Sequence, residues 1–203
     1  MGLPQIAVAE AVGLHKQRDD ALMSPRERGV LVTLLRDIKA RTVIEIGCRD
    51  GRCAEIMLHN VPTISRYIGI ECIDCCAEWP VDPVKHPDLP MEPAAYVKDH
   101  PRFELIVRRR GSFDLTPRDL PACDVMLIDG DHSRAAVEND TALARHVVRK
   151  GGLVVFHDSY EVGKEPDAPW APNVAVAAVL EQMAATDASI KQISGTWLAV
   201  MYV

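Results

Sequence analysis

No run of residues in this chain approaches the ~20 consecutive apolar positions that span a bilayer, and no basic segment followed by an apolar core stands at its amino terminus. The expectation is a cytoplasmic protein without a membrane partner. Positive charge is also in short supply: 29 Asp and Glu stand against 23 Lys and Arg, for a net charge of -6. Phosphate backbones would meet no general attraction, so no nucleic acid partner is expected. The one basic run, Arg108-Arg109-Arg110, reads as a solvated strand end. A zinc site would need a second Cys or His pair to complement Cys72, Cys75 and Cys76, and Cys48 with Cys53 does not supply it. The six cysteines are therefore read as free thiols of a reducing compartment. Met1-Gly2 lacks the Ser or Thr of a myristoylation motif, since position 6 is Ile. The dinucleotide fingerprint G-x-G-x-x-G is missing as well, which disfavours a pyrophosphate cradle.

What is present is organised around Arg41 to Leu58. An apolar run, Thr42 to Ile46, carries one acid at Glu45 and leads into Gly47 and Gly51, after which Ala54, Met57 and Leu58 recur at helical spacing. That is strand, tight turn, helix, a unit whose turn lies at the ligand-binding edge of an α/β sheet. The glycine spacing is Glu45-x-Gly47-x-x-x-Gly51. With 203 residues and 48% apolar content, one domain covering residues 1–203 is the expectation.

Residues 1–23 are weakly amphipathic through Ile6, Val8, Ala11 and Val12, and read as an arm or accessory helix. Ser24-Pro25-Arg26-Glu27 predicts a helix from Pro25 to about Lys39: Ser24 caps it, Pro25 suits its first position and Glu27 completes a capping box. Further strands are predicted at Arg66 to Glu71, Phe103 to Arg108, Cys123 to Asp129 and Leu153 to Asp158. Ser133 is a plausible cap for a helix running to about Lys150, stopped by Gly151-Gly152. A further helix is predicted from Val174 to Ala185. Ser189 to Ile193 and Thr196 to Val203, with Ser194-Gly195 between them, form an antiparallel hairpin. Two proline-bearing segments, 73–100 and 159–173, leave the carboxyl edge and read as lid loops or as ordinary surface insertions. At the second strand tip, Glu71 is the acid that would accept hydrogen bonds from ribose hydroxyls.

Glu45-Ile46-Gly47-Cys48-Arg49-Asp50-Gly51 after a strand resembles the first motif of class I S-adenosylmethionine-dependent methyltransferases. The resemblance covers nearly the whole chain. It implies a Rossmann-like, doubly wound, mostly parallel seven-stranded sheet with an antiparallel terminal hairpin. It also implies S-adenosylmethionine as cofactor, with Glu45, Gly47, Cys48, Gly51, Glu71, Ser112 and Asp129 as the residues around it. A homodimer is suggested only by this resemblance.

Three strand tips end in acids, Glu71, Asp129 and Asp158, and parallel neighbouring strands would bring them together. Asp129-Gly130-Asp131-His132 with His157-Asp158 is then a candidate metal site. Carboxylates suit magnesium, and a ligating imidazole shifts the preference toward manganese, iron or zinc. The tips resemble two metal-dependent branches of the family: the catechol O-methyltransferase type, and the O-methyltransferases of macrolide and aminocoumarin sugars with their cephalosporin-hydroxylase-like relatives. By position, Asp129 and Asp158 would be metal ligands. The first branch would place Asn where Ser159 stands, and the second an acid where His157 stands, so His157 joins the candidate metal ligands. The implied reaction is in-line transfer of a methyl group to a hydroxyl of a small molecule, with Asp131 and His132 as candidate bases. Two other readings remain open: a cephalosporin-hydroxylase-like metal enzyme of other chemistry, and a non-catalytic subunit that binds the cofactor.

Overall fold

The computed structural model describes residues 2–17, 23–73, 92–159 and 175–203. In chain order the elements are β1 (Gln5–Ile6), α1 (Pro25–Asp37), β2 (Thr42–Ile46), α2 (Arg52–Asn60), β3 (Arg66–Cys72), β4 (Phe103–Arg108), β5 (Cys123–Ile128), α3 (Arg134–Val147), β6 (Val148–Phe156), α4 (Ala175–Ala184), β7 (Ile190–Ile193) and β8 (Ala199–Tyr202). They form one sheet in the order β1-β7-β8-β6-β5-β2-β3-β4. The five strands from β6 to β4 are parallel, and β8 enters antiparallel between β6 and β7.

The central strands read as unbroken apolar runs because both of their faces are covered. Val43, Val125, Leu127, Leu153 and Val155 face one core with Val30, Leu31, Leu34 and Leu35 of α1 and Ile56 and Met57 of α2. Their sequence neighbours Ile44, Met126, Ile128, Val154 and Phe156 face the other, against Val137, Leu143 and Ala144 of α3 and Val179 and Leu180 of α4. Among the described residues two helices cover each face, which makes the sheet doubly wound. The sheet has eight strands rather than seven, because the amino-terminal residues contribute an edge strand. Gln5 and Ile6 pair in parallel with Gln192 and Ile193, and no helix forms among the described residues of this arm. Ile6, Val8 and Ala11 pack against the first core, while Val12 is 82% exposed. The apolar spacing that suggested a helix is thus satisfied by an extended strand and turns.

α1 begins as its sequence prescribes. Ser24 Oγ accepts the Glu27 N–H, and the Glu27 carboxylate accepts the Ser24 N–H at 2.8 Å. α3 starts at the cap by Ser133 but stops at Val147, three residues early, because Val148 already pairs with Cys123. Gly151 and Gly152 sit in a bulge of β6, where a Cβ on Gly152 would lie 2.5 Å from the Asp124 carbonyl. The glycine pair that reads as a helix stop is a strand irregularity. Of the two expected lid loops, residues 74–91 and 160–173 lie outside the described residues. Residues 93–99 form successive turns behind the glycine turn, with Ala94 N–H donating to the Arg49 carbonyl at 2.7 Å and Tyr96 N–H to the Asp50 carbonyl at 3.0 Å.

Candidate active site

Strand order reverses between β5 and β2: the chain runs from β2 outward through β3 to β4, then returns to lay β5 and β6 on the other side. In open α/β sheets ligands bind in the crevice at the carboxyl ends of such a pair. Here that crevice lies between the turn after β2 and the turn after β5. The turns are locked to the sheet by Gly47 N–H donating to the Ile70 carbonyl and Asp129 N–H donating to the Ile46 carbonyl, each at 2.9 Å. Gly47 has φ +84, and a Cβ there would lie 2.2 Å from the Asp129 carbonyl oxygen. Only glycine allows this approach. Gly51, at φ +85, opens α2 and would drive a Cβ to 2.5 Å from Val97.

Between the two glycines, Arg49 holds φ 49, an uncommon conformation for a residue with a side chain. It aims the Arg49 N–H at the Glu71 carboxylate, 2.7 Å away, and the Cys72 N–H donates to the other Glu71 oxygen at 3.0 Å. Burial raises the Glu71 pKa, and these two donors partly oppose the rise. Glu71 is therefore fixed at the tip of β3 beside the turn, as its spacing suggests. Glu45 and Cys48 behave differently. Cys48 is buried in the first core. Glu45 is 1% exposed and accepts a hydrogen bond from the Tyr67 hydroxyl at 2.9 Å. Burial, with Asp129 and Glu71 nearby, pushes its carboxyl up to about 8, although Tyr67 and Cys53 hydrogen bonds pull against the shift. Ser112 is buried after β4, within reach of Asn139 on α3 and hydrogen bonded to Asp140.

On the other side of the switch point, Asp129, His132 and Asp158 converge: ligand-type atoms of all three lie within 4.8 Å of one another. His132 Nε2 is 3.1 Å from Asp158 Oδ2 and 4.0 Å from Asp129 Oδ1. His157 stands behind this group, its side chain 4% exposed, with Nδ1 3.1 Å from Asp129 Oδ1 and 3.4 Å from Asp158 Oδ1. Burial opposes a charge on Asp129, but His157 and His132 outweigh it and hold the carboxyl at about 2. Burial likewise opposes the imidazolium of His157, and the carboxylates of Asp129, Asp158 and Glu27 raise its pKa well above the ordinary range. Asp129 and Asp158 raise His132 against its own burial. Asp131 is exposed and turned to the start of α3, where it accepts from the N–H and hydroxyl of Ser133 at 2.8 and 3.1 Å.

Glu27 was legible in the sequence only as a cap. In the fold its carboxylate is 3.9 Å from His157 Nε2 and accepts the Trp197 N–H at 2.7 Å. No sequence signal links α1 to the tip of β6, because the contact is made by packing alone. A cavity of about 300 Å³ lies beside it, lined by Ser24, Glu27, Gly195, Thr196 and Trp197; none of the strand-tip residues lines it.

The fold is a doubly wound α/β sheet with a glycine turn and a hydrogen-bonded strand-tip acid, Glu71, at its switch point. The chain belongs to the methyltransferase domain family, whose model matches residues 44–159, a span running from β2 to the residue after Asp158. Among solved structures it is similar in fold to the O-methyltransferase TomG from Streptomyces achromogenes, involved in tomaymycin synthesis and in complex with S-adenosylmethionine. That match has a TM-score of 0.58 and 20% identity over 91% of this chain and 83% of that one. It is similar to cofactor-bound Rv0187 from MTB, with a TM-score of 0.60 and 23% identity over 93% and 84%. It is also similar to an O-methyltransferase from Bacillus cereus in complex with S-adenosylhomocysteine, with a TM-score of 0.57 and 16% identity over 92% and 84%. In sequence it is 30% identical over 140 residues to uncharacterized protein R132 of Acanthamoeba polyphaga mimivirus; the match covers 66% of this chain and 55% of that protein, so the chain spans about half the length of this curated relative. No helix among the described residues is long and apolar enough to cross a membrane.

Proposed function

We propose that this chain is an S-adenosylmethionine-dependent methyltransferase that methylates a hydroxyl of a small molecule, assisted by a divalent cation. The observation that carries the reading is the convergence at one switch point of the glycine turn and Glu71 on one side with Asp129, His132 and Asp158 on the other. The donor set fits the cofactor: Glu71 offers carboxylate lone pairs to a ribose diol, and an edge carrying Glu71, Asp129 and Asp158 suits a ligand with sulfonium and ammonium charge. It also fits a cation, since the Asp129 and Asp158 carboxylates are hard oxygen donors suited to magnesium or manganese, which leaves the His132 imidazole beside them for the proton. When bound, the cofactor supplies the electrophilic methyl group, and the cation supplies Lewis acidity at the acceptor oxygen.

The chain's own residues orient the reactants and carry the proton. The Arg49 and Cys72 N–H groups fix the Glu71 carboxylate before any ligand arrives, so its orientation costs nothing further on binding. His132, the imidazole on the solvent side of the cluster with its side chain 31% exposed, would take the hydroxyl proton in this reading. Asp131 serves the helix start in the described arrangement. The resemblance to solved O-methyltransferases bound to S-adenosylmethionine and S-adenosylhomocysteine supports this reading. The test is titration calorimetry of the purified chain with each ligand. Saturable binding that survives Asp131→Ala and weakens in Glu71→Ala is the expected result; binding of neither ligand to the wild type ends the proposal.

A further inference from the structure

Glu27 does more in this fold than close a capping box. Its Oε2 accepts the Ser24 N–H at 2.8 Å and faces His157 Nε2 at 3.9 Å, while Oε1 accepts the Trp197 N–H at 2.7 Å. Both Glu27 and His157 have side chains only 4% exposed. A buried carboxylate beside a buried imidazole is held there by charge, because neither has water to turn to.

An imidazole is a rigid plate, so orienting one nitrogen orients the other. With Nε2 of His157 facing Glu27, Nδ1 is directed at Asp129 Oδ1 and Asp158 Oδ1, 3.1 and 3.4 Å away. Asp158 then presents its second oxygen to His132 Nε2 at 3.1 Å. Acids and imidazoles alternate from α1 to the open side of the cluster: Glu27, His157, Asp129 with Asp158, His132.

A second link runs through the backbone. Asp158 holds φ 54, in the left-handed region that residues with side chains rarely adopt, so its neighbours must fix it. One that does is Ser159, whose N–H donates to the Trp197 carbonyl at 2.9 Å. Trp197 is the residue whose own N–H is held by Glu27. The Glu27 carboxylate therefore reaches Asp158 twice, through the His157 ring and through the Trp197 peptide.

We infer that Glu27 is a positioning residue of the strand-tip cluster: through His157 and Trp197 it sets where the Asp129 and Asp158 carboxylates lie relative to His132. It touches neither a ligand nor a reacting atom in this role. The inference rests on the strand-tip cluster being the working site proposed above.

The test uses the full chain, with Glu27→Gln, Glu27→Asp and Ser24→Ala compared with the wild type. The readout is the position of the His132 ring signals in long-range proton–nitrogen correlation spectra, since His132 is not a partner of Glu27. Ser24→Ala removes the cap hydroxyl at the same helix end, which also reaches the Glu27 carboxylate, but keeps the charge of Glu27 and the Ser24 N–H that holds its Oε2, and so reports what loss of the cap alone would do. The expected result is a resolved shift of the His132 signals in Glu27→Gln and a smaller one in Glu27→Asp, with Ser24→Ala superimposing on the wild type. If Glu27→Gln does not fold, Glu27→Asp against Ser24→Ala decides the matter alone. Unmoved His132 signals in the Glu27 variants, or an equal shift in Ser24→Ala, overturn the inference. Calorimetry of the wild type with S-adenosylhomocysteine runs beside it: failure there sinks the methyltransferase reading, while the His132 comparison still decides the role of Glu27.

Discussion

Replacing Glu45 by Gln should make the protein more stable as pH rises, although it removes a native acid from the heart of the first motif. The Glu45 carboxyl is 1% exposed and is pushed up from 4.5 to about 8, chiefly by burial. Its folded-state pKa is above its unfolded value, so the protonated acid is the form the fold prefers. The associated stability is complete below about pH 4.5 and is lost as pH climbs through about 8. At 1.36 kcal/mol per pKa unit, the wild type should lose about 3–4 kcal/mol from this group between roughly pH 5 and pH 8. Gln keeps an oxygen to accept the Tyr67 hydroxyl and has no proton to lose. Denaturant titrations of both proteins across that range give the difference directly, because every other titrating group is common to the two. The curves should nearly meet at the acid end and diverge toward the alkaline end, with the variant the more stable. Curves that stay parallel within about 1 kcal/mol would show that Glu45 titrates as an ordinary carboxyl, and would refute the account of its burial.

The turn and the sheet make further predictions. Gly47→Ala places a methyl 2.2 Å from the Asp129 carbonyl at φ +84; it should cost at least about 2 kcal/mol in denaturant stability and abolish S-adenosylhomocysteine binding by calorimetry. Glu71→Ala removes a hydrogen-bonded carboxylate at the β3 tip and should weaken that ligand about 10- to 100-fold, the span of one or two charged hydrogen bonds. An unchanged affinity would move the ribose elsewhere. Asp124→Ala strips the acceptor shared by the Arg41 and Thr42 N–H groups and the partner of Arg149, at the opposite edge of the sheet. It should cost about 2–4 kcal/mol in stability while leaving ligand affinity unchanged, which separates the fold's supports from the site's.

Sequence alone determined the parts of this protein that depend on near neighbours along the chain. The capping box at Ser24 and Glu27, the apolar runs of β2, β5 and β6, and the glycine turn at Gly47 and Gly51 are local patterns, and each folds as local chemistry dictates. The acids at strand tips were legible for the same reason, since a polar residue ending an apolar strand marks the sheet's edge whatever the strand order. Register was not legible. That Val148 pairs with Cys123, turning Gly151-Gly152 from a helix stop into a bulge, depends on where β5 lies. The strand at Gln5 and Ile6 exists only because β7 offers an open edge. The charges at the site were decided the same way. Glu45 is held protonated and Asp129 ionised because one carboxyl is buried beside Tyr67 and the other lies between two imidazoles. Burial and partners are properties of packing, so neither state is written in the residue. Glu27 shows the division most plainly: the sequence made it a helix cap, and only the packing of α1 against the tip of β6 set it opposite His157.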